Sequence, residues 1–387
     1  MATTAVQDFR DTGPRLLRLD PLLLLATFGL IFASVYTVHK ATFGDIPGDP
    51  NYYMDRQLIY IAAGVVLMLL VSRFDYSRLR EWKLGVYGFM IGAILLVYVF
   101  GFSARGSRRA IEIGFFNFQA SELGKLLLVV ALAGFTVDRA RRLNERETTS
   151  RIVLLAVVPA MLVVAQPDLG SGLVYLAIVL AVLFVAGTKW THFAALGALA
   201  AVAIVVVLIA APAAGVQVLK PYQVDRLTAF LNPSTDPADE GYQINQSLTA
   251  IGSGGKTGRG NESTQTKLNF LPEHHTDFIF SVVGEEFGFV GAALVLSLFA
   301  LLIWRALRIL TMSKNFYGAL VAGGITAMLM FQVFVNVGMT IGIMPITGVP
   351  LPLMSYGGSS VLTTLLAIGL LQSIYAQARE TAVAKGL

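Results

Sequence analysis

The chain of 387 residues has no cysteine, so neither a disulfide framework nor a thiolate metal site is available to it. Charge is scarce as well: Asp, Glu, Lys and Arg make up 14% against 55% hydrophobic residues, and mean hydropathy is +0.68. That balance is too apolar for a soluble protein and indicates a polytopic membrane protein. The four histidines (His39, His192, His274, His275) include no HExxH-type pair, which argues against a histidine zinc site. No basic stripe carries interleaved aromatics, so the net charge of +5 is not a nucleic-acid signal. No small-x-small cleavage site follows the polar residues 1–20, and the first apolar run therefore reads as an uncleaved span.

What the chain does have is long apolar runs, near 21–38, 57–71, 84–102, 121–137, 152–166, 169–187, 193–214, 277–304, 317–340 and 361–377. These predict an all-α membrane protein of about ten transmembrane helices forming one membrane domain, with both termini on one side. Lys and Arg set the orientation. The N-terminus, 72–83, 138–151, 187–192, 305–316 and the C-terminus hold 18 of the 29, the opposite loops hold ten, and Lys125 lies within a span. The positive-inside rule then places both termini and Arg139–Arg151 in the cytoplasm, and the long segment 215–276, between spans seven and eight, outside. AIGSGGKT (250–257) within that segment resembles a P-loop, but Ala250 stands where the first glycine is needed and no strand precedes it. Its glycines fit better with backbone that approaches a ligand or folds tightly over the membrane.

Three groups of charged residues stand at membrane depth. Asp277 sits where the outward segment meets the eighth apolar run, with His275 and Thr276 before it and Glu285 and Glu286 two turns on. An ionisable group there is a functional-site hypothesis by default, although Asp is also a preferred helix N-cap. Glu122 and Lys125, three residues apart at the start of span four, can pair on one helix face. The fifth run is some 15 residues, short of the roughly 20 needed to cross. The turn Gln166–Gly170 is therefore predicted to lie below the surface, with Asp168 submerged in a cavity. The segment 342–360, rich in proline, glycine and large apolar residues, reads as a rigid turn or as a re-entrant lining.

Five motifs in order, GSRRAIEIGFFNFQASELGK (106–125), QPDLGSG (166–172), YQINQSLTAIGSGG (242–255), FLPEHHTDFIFSVVGEEFG (270–288) and NVGMTIGIMPITGVPLPLMSYGGSS (336–360), resemble the SEDS family of shape, elongation, division and sporulation proteins. The last motif has the wording of the family's elongation branch. The resemblance implies a peptidoglycan glycosyltransferase of the bacterial cytoplasmic membrane, polymerising lipid II into a growing lipid-linked glycan. It also implies a class B penicillin-binding protein and elongation-complex proteins as partners, and no nucleic acid. Asp277 matches the family's essential aspartate and is the expected base, with His275 beside it as a substrate contact. Lys125 and Arg109 are expected to receive pyrophosphate, with Glu122 and Asp168 holding Lys125. Two departures bear on loop shape: Ala110 follows Arg109 where an aromatic is usual, and 258–265 reads GRGNESTQ, less glycine-rich than the family pattern. No cofactor is required, though an oxygen-rich site of this kind suits magnesium. A lipid flippase would use the same charges as a path, and a scaffold would leave them without purpose.

Overall fold

The computed structural model describes residues 19–104, 107–114, 116–215, 224, 230, 240–266 and 270–384. Among them nine helices are long and apolar enough to cross a membrane. These are α1 (Pro21–Thr42), α2 (Tyr52–Arg73), α3 (Lys83–Phe100), α4 (Ala120–Asp138), α5 (Arg146–Ala165), α7 (Trp190–Val205, continued by further turns to Ala213), α9 (Ile279–Met312), α10 (Phe316–Thr340) and α11 (Gly358–Ala384). The shorter α6 (Leu169–Val185) has 17 residues, and α8 (Glu240–Gly254) lies in the long connection before α9. Among the described residues the strands are those of one three-stranded antiparallel sheet, β1 (Phe102–Ala104), β2 (Ser107–Ile113) and β3 (Phe116–Phe118), between α3 and α4.

One expectation fails here. The fifth helix is not short, because it begins back at Arg146 inside the basic segment and runs 20 residues; α6 is the short one. Hydropathy alone missed the polar first turns of α5. The turn at 166–168 is submerged all the same, with Gln166 and Asp168 both buried.

The centre of the bundle is α4, buried nearly all round. Small residues let neighbours approach, as membrane packing requires. Gly324 of α10 stands where an added Cβ would lie 2.7 Å from Val129, and Gly124 where it would strike the Tyr175 hydroxyl. At the periphery, α7 buries only His192, which bonds Thr149 Oγ1 of α5 at 2.7 Å.

Side-chain bonds tie the helix ends into two opposite layers. In one, Asp138 at the end of α4 pairs with Arg80 and Lys83, and Ser373 of α11 donates to the Phe74 carbonyl at 2.6 Å. Asp20, fully buried, caps α1 through the amides of Leu22 and Leu23, pairs with Arg305 of α9, and donates its amide to Gln372 of α11 at 2.7 Å. The other layer holds the sheet, α8, and the segments before α9 and α11. Every residue picked out as chemical from the sequence belongs to that second layer.

Candidate functional site

The start of α9 is built from a tight turn. Glu273, in the left-handed region at φ 53°, accepts the amides of Thr276 and Phe278 on its carbonyl, both at 3.2 Å. The helix begins only at Ile279, with Phe278 at its cap and no side-chain capping bond. Asp277 is therefore not the N-cap. It is half-buried, two residues before the helix, and its main-chain carbonyl accepts Asn336 Nδ2 of α10 at 2.8 Å.

The segment 341–357 clamps this turn from the other side. Ser355 donates to the Thr276 carbonyl at 2.6 Å, and the Tyr356 amide donates to the His275 carbonyl at 2.9 Å. Asn336 also reaches the Val349 carbonyl, and Gln57 of α2 donates to the Ser355 carbonyl at 3.3 Å. Three consecutive residues, His275 to Asp277, are thus fixed by their main chain from two other elements, α10 and the segment before α11. The 342–360 segment holds this turn through Ser355 and main-chain hydrogen bonds.

The same segment runs on to the second group. Ser359 accepts the Gln119 amide at 2.9 Å and donates to the Asn117 carbonyl at 2.8 Å. Gln119 Nε2 and Ser121 Oγ donate to Asp168 at 3.2 and 2.9 Å, and Asp168 in turn caps α6 through the Ser171 amide. One helical turn along α4, Lys125 Nζ lies 2.6 Å from Glu122 Oε1, with only 1% and 3% of their side chains exposed. A buried pair of this kind needs its partner, since removal of one charge leaves the other without compensation.

Asp168 does not hold Lys125, contrary to the sequence-based expectation. Its oxygens are taken by Gln119, Ser121 and the α6 amide, so it fixes the start of α4 against the start of α6. Among the described residues no three His, Asp or Glu side chains gather to hold a metal. Glu122 is bonded to Lys125, and Asp168 to Gln119, Ser121 and the Ser171 amide. Arg109 lies in β2, and its side chain is outside the described residues.

A third carboxylate group fixes the long connection before α9. Glu285, fully buried, accepts the amides of Thr264, Gln265 and Thr266 at 2.7, 2.9 and 3.0 Å, and Thr266 Oγ1 at 2.6 Å. Glu286 accepts Ser263 Oγ at 2.6 Å. The Gln265 carbonyl then accepts the amides of Phe270 and Leu271, and Leu271 packs with Ile244, Phe278 and Ile346. A break at Gly288 (φ 62°, ψ −159°) interrupts α9, and the amides of Phe289 and Val290 find the carbonyls of Gly255 and Lys256 at 2.9 and 3.1 Å.

The family described as Cell cycle protein, FtsW/RodA/SpoVE, matches residues 16–380 of this sequence. The chain belongs to this family. Stage V sporulation protein E of Bacillus subtilis is 37% identical over 369 residues, 94% of this chain and 98% of that protein. Peptidoglycan glycosyltransferase MrdB of Escherichia coli K12 is 36% identical over 360 residues, 92% of this chain and 93% of that one. Among solved structures, a chain from work on the coordination of polymerization and crosslinking by a peptidoglycan synthase complex superposes with a TM-score of 0.77. It shows 33% identity and covers 92% of this chain and 97% of its own.

For a member of the FtsW/RodA/SpoVE family, the structure adds residues that motif reading passed over. Asn336, Ser355, Gln119 and Ser121 make the bonds that position Asp277 and Asp168. The signal for Asn336 and Gln57 was available: an amide side chain inside an apolar span needs a partner. Gly254 and Gly258 serve close approach of backbone to α9. An added Cβ at Gly254 or Gly258 would lie 1.9 or 2.1 Å from the carbonyl oxygens of Gly284 and Glu286.

Proposed function

We propose that this protein is a peptidoglycan glycosyltransferase of the bacterial cytoplasmic membrane that polymerises lipid II during cell-wall elongation, with Asp277 as general base. The observation that carries this reading is the setting of Asp277. It stands outside the helix it precedes, on a main chain locked by Asn336, Ser355 and Tyr356, in the layer that also holds the Glu122–Lys125 pair. The names of the relatives support the reaction class, and the wording of 338–352 supports the elongation role.

In the reaction, the Asp277 carboxylate takes the proton of an acceptor sugar hydroxyl as that oxygen bonds to the donor's anomeric carbon. The bond from that carbon to the lipid pyrophosphate breaks, its electron pair leaves with the pyrophosphate, and the configuration inverts. Pyrophosphate departs readily, so no second carboxyl is needed to protonate it, unlike in glycoside hydrolysis. Lys125 and Arg109 supply the positive charge that stabilises the departing group. Because Lys125 is enclosed, direct contact with pyrophosphate requires this end of the bundle to open. A class B penicillin-binding protein cross-links the product, in keeping with the synthase complex of the matched structure.

The test is glycan synthesis from labelled lipid II by purified, monodisperse protein. Asp277→Asn keeps the shape but not the proton acceptor, and Asn serves a helix start about as well as Asp. Polymer should fall by roughly 10²-fold or more, the lower range for a positioned base. Near-normal polymer from this variant would remove Asp277 from the role.

A further inference from the structure

A row of aromatic rings joins the two charged groups, and neither the base nor the pyrophosphate contacts account for it. Tyr53 of α2 lies 4.7 Å from the His275 ring and 5.0 Å from that of Tyr356, centroid to centroid. Tyr356 continues to Tyr60 at 6.3 Å, and Tyr60 to Phe116 of β3 at 5.8 Å. One end is two residues from Asp277. The other is three residues before Gln119, which bonds Asp168. Tyr60 is buried, while His275, Tyr53, Tyr356 and Phe116 are each half-buried.

Two features separate this row from lipid-facing aromatics. Its rings come from four separate stretches of chain (α2, β3 and the segments before α9 and α11), whereas exposed rings such as Phe32 and Phe100 belong to single outer helices. Three of its five members are tyrosines, with an apolar body and a polar tip. Burial pushes the Tyr356 phenol well above its ordinary value, so that hydroxyl keeps its proton and donates. Polar partners flank the row throughout: Gln57, Ser355 and Gln119. A prenyl chain calls for an aliphatic wall. A pyranose ring, with an apolar face of axial C–H bonds and a rim of hydroxyls, matches aromatic faces edged with donors.

The Tyr53 and Tyr356 rings meet edge to face at 85°, and we propose that Tyr53 stacks on a pyranose ring of the lipid-linked saccharide while Tyr356 walls its side, holding it beside Asp277. The inference rests on the glycosyltransferase reading for its substrate but not on Asp277 being the base.

The experiment compares two ligands on the full-length protein in nanodiscs, without turnover: lipid II, and polyprenyl pyrophosphate bearing no sugar. Tyr53→Leu and Tyr356→Leu should weaken lipid II binding about three- to tenfold, the scale of one aromatic contact, and leave the sugar-free lipid unchanged. Tyr53→Phe and Tyr356→Phe, which keep the ring, should stay near wild type for both ligands. Equal loss of both lipids, or no loss of either, overturns the platform. Should the leucine variants fail to fold, benzoylphenylalanine at position 53 keeps an aromatic ring. On irradiation it should then capture lipid II through its sugar, and an adduct on the prenyl chain alone, or none, overturns the proposal. Polymer assays on Asp277→Asn judge the base separately, so the two readings fail by different measurements.

Discussion

Lys125 shows what a single residue can be asked to do at this depth. Its ammonium is buried against Glu122, so Lys125→Met alone confounds two effects. It removes a charge from the site and leaves a carboxylate uncompensated, at about 3–5 kcal/mol. The double variant Glu122→Gln with Lys125→Met removes both charges and separates them. Thermal unfolding in detergent should return close to wild type, while polymer stays down by roughly 10²-fold, as for loss of one stabilising donor. Recovery of polymer together with stability would make the pair a structural staple only. The spacing of Glu122 and Lys125 made their pairing readable from sequence. The sequence could not show that Asp168 turns to Gln119 and Ser121 instead, because that choice depends on how α6 meets α4.

At the scale of elements, the long connection before α9 and α9 itself behave as one unit. Gly258 has φ +85° and would place a Cβ 2.1 Å from the Glu286 carbonyl oxygen, whereas Gly255, at φ +53°, has nothing within 4 Å. Gly255→Ala should therefore cost about 1–2 kcal/mol, the left-handed penalty alone. Gly258→Ala adds a clash with backbone that has nowhere to move, and should cost clearly more. Unfolding midpoints and limited proteolysis of the two variants check the difference; similar values would mean the loop is not pressed against α9. From the sequence, glycine and polarity marked this stretch as a loop, and helix α8 within it was not foreseen. Its moderate apolar content becomes helical once a face can pack on α9, a tertiary effect that local propensity does not report.

For the whole molecule, the helix count and order were legible, since apolar runs as long as these have few alternatives in a membrane. The ends were less so: α5 gained its first turns from Arg146 to Arg151, which hydropathy assigns to a loop. The site was legible as a set of charges and not as a network, because its bonds run through Asn336, Ser355 and Ser359 from distant parts of the chain. Orientation is open to direct measurement. Asn245 is exposed on α8 in this cysteine-free chain, so Asn245→Cys should react with an impermeant maleimide on cells whose outer barrier alone is permeabilised. Labelling only after lysis would invert the topology and move the site to the cytoplasm. The break at Gly288 constrains ancestry as well as structure. Because Gly255 and Lys256 carry the carbonyls that receive Phe289 and Val290, one residue inserted on either side would mis-pair both. The lengths of these two stretches must be inherited together, and drift in loop length has to be absorbed elsewhere in the connection.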